Sequence, residues 1–65
     1  MKIKYFEDTD TLYIEFAGGD IVETRDLDDN TLVEFDAAGQ LCAMTLEHAS
    51  QRTDARHLSF EKVAA

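Results

Sequence analysis

One cysteine, no proline, three glycines and six basic residues bound what this chain of 65 residues can be. Cys42 stands alone, so an intramolecular disulfide is impossible and no thiolate-based metal site can be assembled. A lone thiol fits a reducing compartment. No apolar run approaches the roughly 18 residues of a membrane span, and no charged-apolar-small leader pattern is present. The chain is therefore expected in the cytoplasm and off the membrane. Without proline, low-complexity stretch or linker, residues 1–65 read as a single domain. The shortage of bases matters most: fourteen acids leave a net charge of -8, which repels phosphate backbones and excludes nucleic acid as a direct partner. Glycine is too scarce for a phosphate-binding loop, since Gly18-Gly19 lacks the lysine and the following helix that such a loop requires.

What is present is alternation. In Thr11-Leu12-Tyr13-Ile14-Glu15-Phe16 every second residue is apolar, the period of a central strand with one face buried. Glu7 to Asp10 before it and Ala17 to Asp20 after it supply turn residues, so a strand that turns back on both sides is expected. Lys2 to Phe6 pairs with it through the acidic turn, and Lys2 and Lys4 suit an outer strand. Ile21 to Leu27 switches its apolar parity partway, which points to a bulge. Thr31 to Asp36 alternates with Val33 and Phe35 inward. Asp36-Ala37-Ala38-Gly39 has the Asp-first, Gly-fourth preference of a type I turn. Leu41 to Leu46 resumes with Cys42, Met44 and Leu46 on one face, and Glu47 to Asp54 breaks the period as a short helical segment. Leu58 to Val63 reads as a sixth strand, or as the end of a second helix from Asp54. The fold class that follows is α+β, mostly β: a small antiparallel β meander of five to six strands with one short helix near the C-terminus.

Chemistry-bearing constellations are weak. Asp26, Asp28 and Asn30 have the alternate spacing of the first EF-hand ligands, but Thr31 and Ala37 stand where the glycine and the bidentate glutamate belong. Cys42 shares its strand face with Met44 and Leu46 and reads as a small buried hydrophobe rather than a nucleophile served by His48 or His57. Glu15 and Glu34 can face each other across strands, yet general acid-base work needs a cleft, and one buried layer gives little material for one. No catalytic residue, cofactor or metal is assigned, and the chain is expected not to be an enzyme.

Asp10-Thr11-Leu12-Tyr13-Ile14, then Glu23 to Asn30, Phe35-Asp36-Ala37-Ala38-Gly39 and Ala49-Ser50, in this order and spacing, resemble the bacterial domain-of-unknown-function 2283 family over about Met1 to Arg52. The chain departs from the usual pattern in having Glu34 for aspartate, and Ala43 and Thr45 for glycine and glutamate. The resemblance implies a small antiparallel β domain with a short helix and no established activity. It also implies, from the small ribonuclease-fold toxin-like proteins often encoded beside members, an antitoxin-like role.

Two expectations about partners follow. A sheet carrying Ile3, Leu12, Ile14, Phe16, Val33, Phe35, Met44 and Leu46 presents more apolar surface than a helix of about six residues covers. A core this small supplies no more than about 3 to 5 kcal/mol, so association is the natural supplement. A homodimer is expected, with Leu58, Phe60 and Val63 of the tail packing on the neighbour. Charge is also uneven: Met1 to Glu47 holds twelve acids and three bases, and His48 to Ala65 two acids and three bases. An acidic protein-binding module that masks a basic partner through Asp26, Asp28 and Asp29 is one reading, and a self-associating structural domain is the other.

Overall fold

In the computed structural model, which describes residues 1–64, five antiparallel strands form one sheet, with a single helical turn packed on one side. The strands are β1 (Lys2–Phe6), β2 (Thr11–Glu15), β3 (Glu23–Asp28), β4 (Thr31–Phe35) and β5 (Leu41–Glu47), followed by α1 (Ala49–Arg52). Their spatial order is β1-β2-β5-β4-β3. β3, β4 and β5 follow one another as a meander, and the β1–β2 hairpin adds to it by laying β2 along β5. β2 is interior as its alternation requires, but the middle position belongs to β5.

The expected turn back after β2 is corrected. The segment containing Gly18 and Gly19 crosses the sheet end to reach the far edge, and it pairs with the strand ends it passes. Phe16 and Ala17 donate their backbone N–H groups to the Cys42 carbonyl at 2.7 and 3.2 Å, and Val22 donates to Phe35 O at 2.9 Å. Only then does β3 begin, at Glu23 rather than Ile21. Every residue of β3 is exposed, as befits an edge strand, and Leu27 is skipped in the register between Asp26 and Asp28, the bulge that its broken parity announces. A second irregularity leaves Cys42 without a partner in β4.

The sixth strand is also corrected. Beyond Arg52 the described chain forms a turn at Asp54 to His57 and then no regular element. Alternation specifies a strand only where a sheet edge receives its N–H and C=O groups. Among the described residues, 58–63 form no backbone hydrogen bonds with either edge. Leu58, Phe60 and Val63 are exposed instead.

Directly paired residues share a face, so the register sorts the sheet. On the side carrying α1, one row runs Tyr5, Leu12, Leu46, Thr31, Asp28, and the next runs Ile3, Ile14, Met44, Val33, Arg25. The opposite face has the rows Lys4, Tyr13, Thr45, Leu32, Asp26 and Lys2, Glu15, Ala43, Glu34, Thr24. Leu12, Ala49 and Ala55 form the buried cluster, flanked by Tyr5, Ile14 and Leu46. The helix and the turn after it thus bury Leu12 and Thr31 of the first row; in the second row Val33 is buried, Ile14 and Met44 are half-buried and Ile3 is exposed.

Candidate functional site

Three aspartates from the blocks that stand out in the sequence are spent on the fold. Asp10, in the left-handed conformation at φ 53°, ends the β1–β2 turn and serves as a remote cap for α1. Its carbonyl accepts Ala49 N–H at 2.9 Å. Its carboxylate accepts Ser50 N–H at 3.0 Å, the Ser50 hydroxyl at 2.8 Å and the Tyr5 hydroxyl at 2.5 Å. Helix starts leave N–H groups without intrahelical partners, and His48, the residue at the cap position, offers no side-chain bond. The Tyr5 hydroxyl, followed by Ser50, holds the Asp10 carboxyl below its ordinary value, and the same bond raises the Tyr5 phenol.

Asp28 closes the β3–β4 turn by accepting Asn30 N–H at 2.8 Å, the leading cause of its lowered pKa. Arg52 then fastens α1 to that turn, donating to Asn30 O at 2.8 Å and to Thr31 Oγ1 at 2.6 Å, with Asp28 Oδ2 at 3.4 Å. Asp36 Oδ1 accepts Ala38 and Gln40 N–H, both at 2.9 Å, in the β4–β5 turn, where Gly39 supplies φ 80°. Asp26, Asp28 and Asn30 therefore build a hairpin, and no group of three metal-ligating side chains is found among the described residues.

Cys42 is buried, as its strand position implies. Burial pushes its thiol pKa up, with the Asp36 charge adding to this, so the thiolate that nucleophilic use requires is disfavoured. The imidazole of His57 lies 2.8 Å from Asp54 on an exposed turn, away from any cysteine contact.

The face opposite α1 is where the acids remain available. Glu15 and Glu34 flank buried Ala43 in one row, and Tyr13 lies in the adjacent row, its phenol pKa raised first by desolvation and then by these two carboxylates. Asp26, Asp29 and Glu47 line a shallow hollow with Leu32 and Thr45 at the β3–β4 end. Ion pairs among the described residues are Arg25 with Glu23, Arg52 with Asp28 and His57 with Asp54, so none occupies Glu15, Glu34, Asp26 or Glu47.

The acids expected to meet a basic partner and the tail residues expected to meet a second copy lie at opposite edges of the sheet. Asp26, Asp28 and Asp29 lie at the β3 edge, while Phe60 lines a hollow with Met1 and Ile3 beside β1, the opposite edge. Four strand spacings of about 4.8 Å separate the edges, roughly 19 Å. Sequence reasoning missed Arg52 as the tie to the second hairpin. The signal for it was a base in the last helical turn. It also missed the row arrangement that gathers Glu15, Glu34 and Tyr13 on one face, which depends on β5 lying between β2 and β4.

No helix among the described residues is long and apolar enough to cross a membrane. A family model described as "Protein of unknown function (DUF2283)" matches residues 2–50. Comparison with curated proteins and with solved structures gave no match.

Proposed function

Because the chain belongs to the DUF2283 family, whose description assigns no activity, its function has to be argued from its surfaces, and we propose that it is a non-enzymatic acidic protein-binding module that masks a basic partner. The observation that carries this reading is the face opposite α1, where Glu15, Glu34, Asp26 and Glu47 form no ion pair among the described residues, outnumber Lys2 and Lys4 of the same face, and surround Tyr13, Leu32 and Thr45. Aromatic and aliphatic side chains at the centre of a charged rim suit a protein surface, because desolvated apolar contact supplies affinity while the charges set encounter rate and partner choice. A basic nucleic-acid-binding surface, such as that of a ribonuclease-fold toxin, has the complementary sign, which supports the antitoxin-like role that the family resemblance implies. Asp28 contributes little to such a surface, since Asn30 and Arg52 already engage it. Asp26 and Asp29 remain in the proposed contact.

The test is capture from lysate of the native cell at low and high salt, with wild type compared to a variant carrying Glu15→Gln, Glu34→Gln, Asp26→Asn and Glu47→Gln. The reading requires a basic protein that wild type retains at low salt, releases as ionic strength rises, and that the variant fails to hold. A partner retained equally by both forms, or indifferent to salt, overturns it.

A further inference from the structure

The outer side of β1 and the tail that passes it are both left without backbone partners. β1 is an edge strand, and among the described residues 58–63 form no backbone hydrogen bond with it. Exposed apolar side chains gather at the same place. Of the ten large ones exposed among the described residues, Met1, Ile3, Phe6, Leu58, Phe60 and Val63 belong to the β1 edge and the tail. Two contacts fix the course of the tail: the Arg56 side chain meets the Tyr5 hydroxyl, and Phe60 lines a hollow with Met1 and Ile3. Tyr5 and Ile3 point to the α1 side, so the tail runs over that side of β1, opposite to it in direction, instead of lying beside its edge.

The two segments nevertheless match when they are set side by side. In an antiparallel pair directly opposite residues share a face. The register that puts Phe60 opposite Ile3 also puts Leu58 opposite Tyr5, Ser59 opposite Lys4 and Glu61 opposite Lys2. Apolar side chains then meet on the α1 side, and Lys2 meets Glu61 on the other, neither of them holding an ion pair among the described residues. A shift of two residues either way destroys the match, because Lys62 falls opposite Ile3 or Arg56 opposite Tyr5. The chain's own tail, held over the sheet by buried Ala55, does not occupy this place. We propose that two copies exchange the pairing, residues 58–62 of each adding as an antiparallel strand to β1 of the other. A twofold axis parallel to the strands achieves this with each tail left over its own β1. The two sheets then overlap only at their β1 margins, α1 sides facing, and Phe60 of one copy lies against its own Ile3 and beside Ile3 of the second. The occupant is a second copy because this chain carries both complementary strands, and one rotation satisfies both pairings at once. The β1 edge is the far edge from Asp26 and Asp29 of the proposed partner-binding surface, so either inference can fail alone.

Light scattering after size exclusion, from micromolar to millimolar protein, tests the exchange. Wild type is expected at twice 7.3 kDa, and Leu58→Ser with Phe60→Ser at the single-chain mass with an unchanged far-ultraviolet spectrum. A folded wild-type single chain across the whole range overturns the proposal, as does a dimer that both serines leave intact. Cysteine pairing checks partner and register together. Chains carrying Lys4→Cys, mixed with chains carrying Ser59→Cys, are expected to join through a disulfide on mild oxidation, since opposite Cβ atoms lie about 5 Å apart. Should the serine variant fail to fold, this bond alone decides: its absence, or its formation only within a chain that carries both cysteines, overturns the proposal.

Discussion

Replacing Arg52 by alanine removes the tie between α1 and the β3–β4 turn. Its guanidinium donates to Thr31 Oγ1 at 2.6 Å and Asn30 O at 2.8 Å, and its side chain is about two-thirds buried. A hydrogen bond to a charged group contributes about 1.5 to 3 kcal/mol. The two do not count equally. Asn30 O keeps Glu47 N–H at 2.8 Å when the arginine is gone, but the hydroxyl oxygen of buried Thr31 loses its guanidinium donor and keeps only its side-chain bond to Asp28. The expected loss is about 2 to 3 kcal/mol, most of it from the Thr31 side, against a total of about 3 to 5 kcal/mol for a core of this size. In urea, with a slope near 1 kcal/mol/M, the midpoint falls by about 2 to 3 M. Protein concentration must be held constant across variants, since association shifts apparent stability. A double-mutant cycle isolates the cause. Thr31→Val removes the hydroxyl that loses this donor, so it is expected to cost much less in the Arg52→Ala background than in wild type. Additive losses, or an Arg52→Ala midpoint indistinguishable from wild type, refute the assignment of Arg52 as a structural tie.

Two further outcomes follow from titratable groups. Asp10 and Asp28 have carboxyl pKa values held below their ordinary ones, Asp10 chiefly by the Tyr5 hydroxyl and Asp28 by Asn30 N–H. Their contribution to stability is therefore complete above the ordinary aspartate value near 3.9 and is lost as pH falls through the lower folded values. Melting temperature recorded against pH should drop at the acid end, and Asp10→Asn should flatten part of that drop. Burial raises the Cys42 thiol, so a colorimetric thiol reagent should react with it only at the rate of unfolding, and denaturant should restore rapid reaction.

Much of the sheet was legible because its strands keep a period of two wherever one face is buried. Leu12 and Ile14, Val33 and Phe35, and Met44 and Leu46 mark β2, β4 and β5 directly. β3 is harder to bound because an edge strand exposed along its whole length has no buried face to impose a pattern. The crossing after β2 was not legible, since Gly18-Gly19 is the same signal whether a chain reverses beside its own strand or travels to the far edge. Leu58 and Phe60 alternate as strand residues do, but alternation carries no information about whether an edge is free to pair. The roles of Asp10 and Arg52 depend on partners 40 and 21 residues away, Ser50 and Thr31, and those separations leave no local trace. The acidic face became visible only once β5 was known to align Ala43 with both Glu15 and Glu34.

The position of β5 has a consequence for biosynthesis. During translation the β1–β2 and β3–β4 hairpins emerge first, and neither can be joined to the other until Leu41 to Glu47 has left the ribosome, because that strand lies between them. Until then each hairpin keeps an open edge where β5 will bind, and isolated two-stranded hairpins are marginal in water. Release of the strand that joins them, followed at once by the helix that latches to both turns, makes folding of the nascent chain a late, single event, and any product that stops before Glu47 remains two unconnected halves.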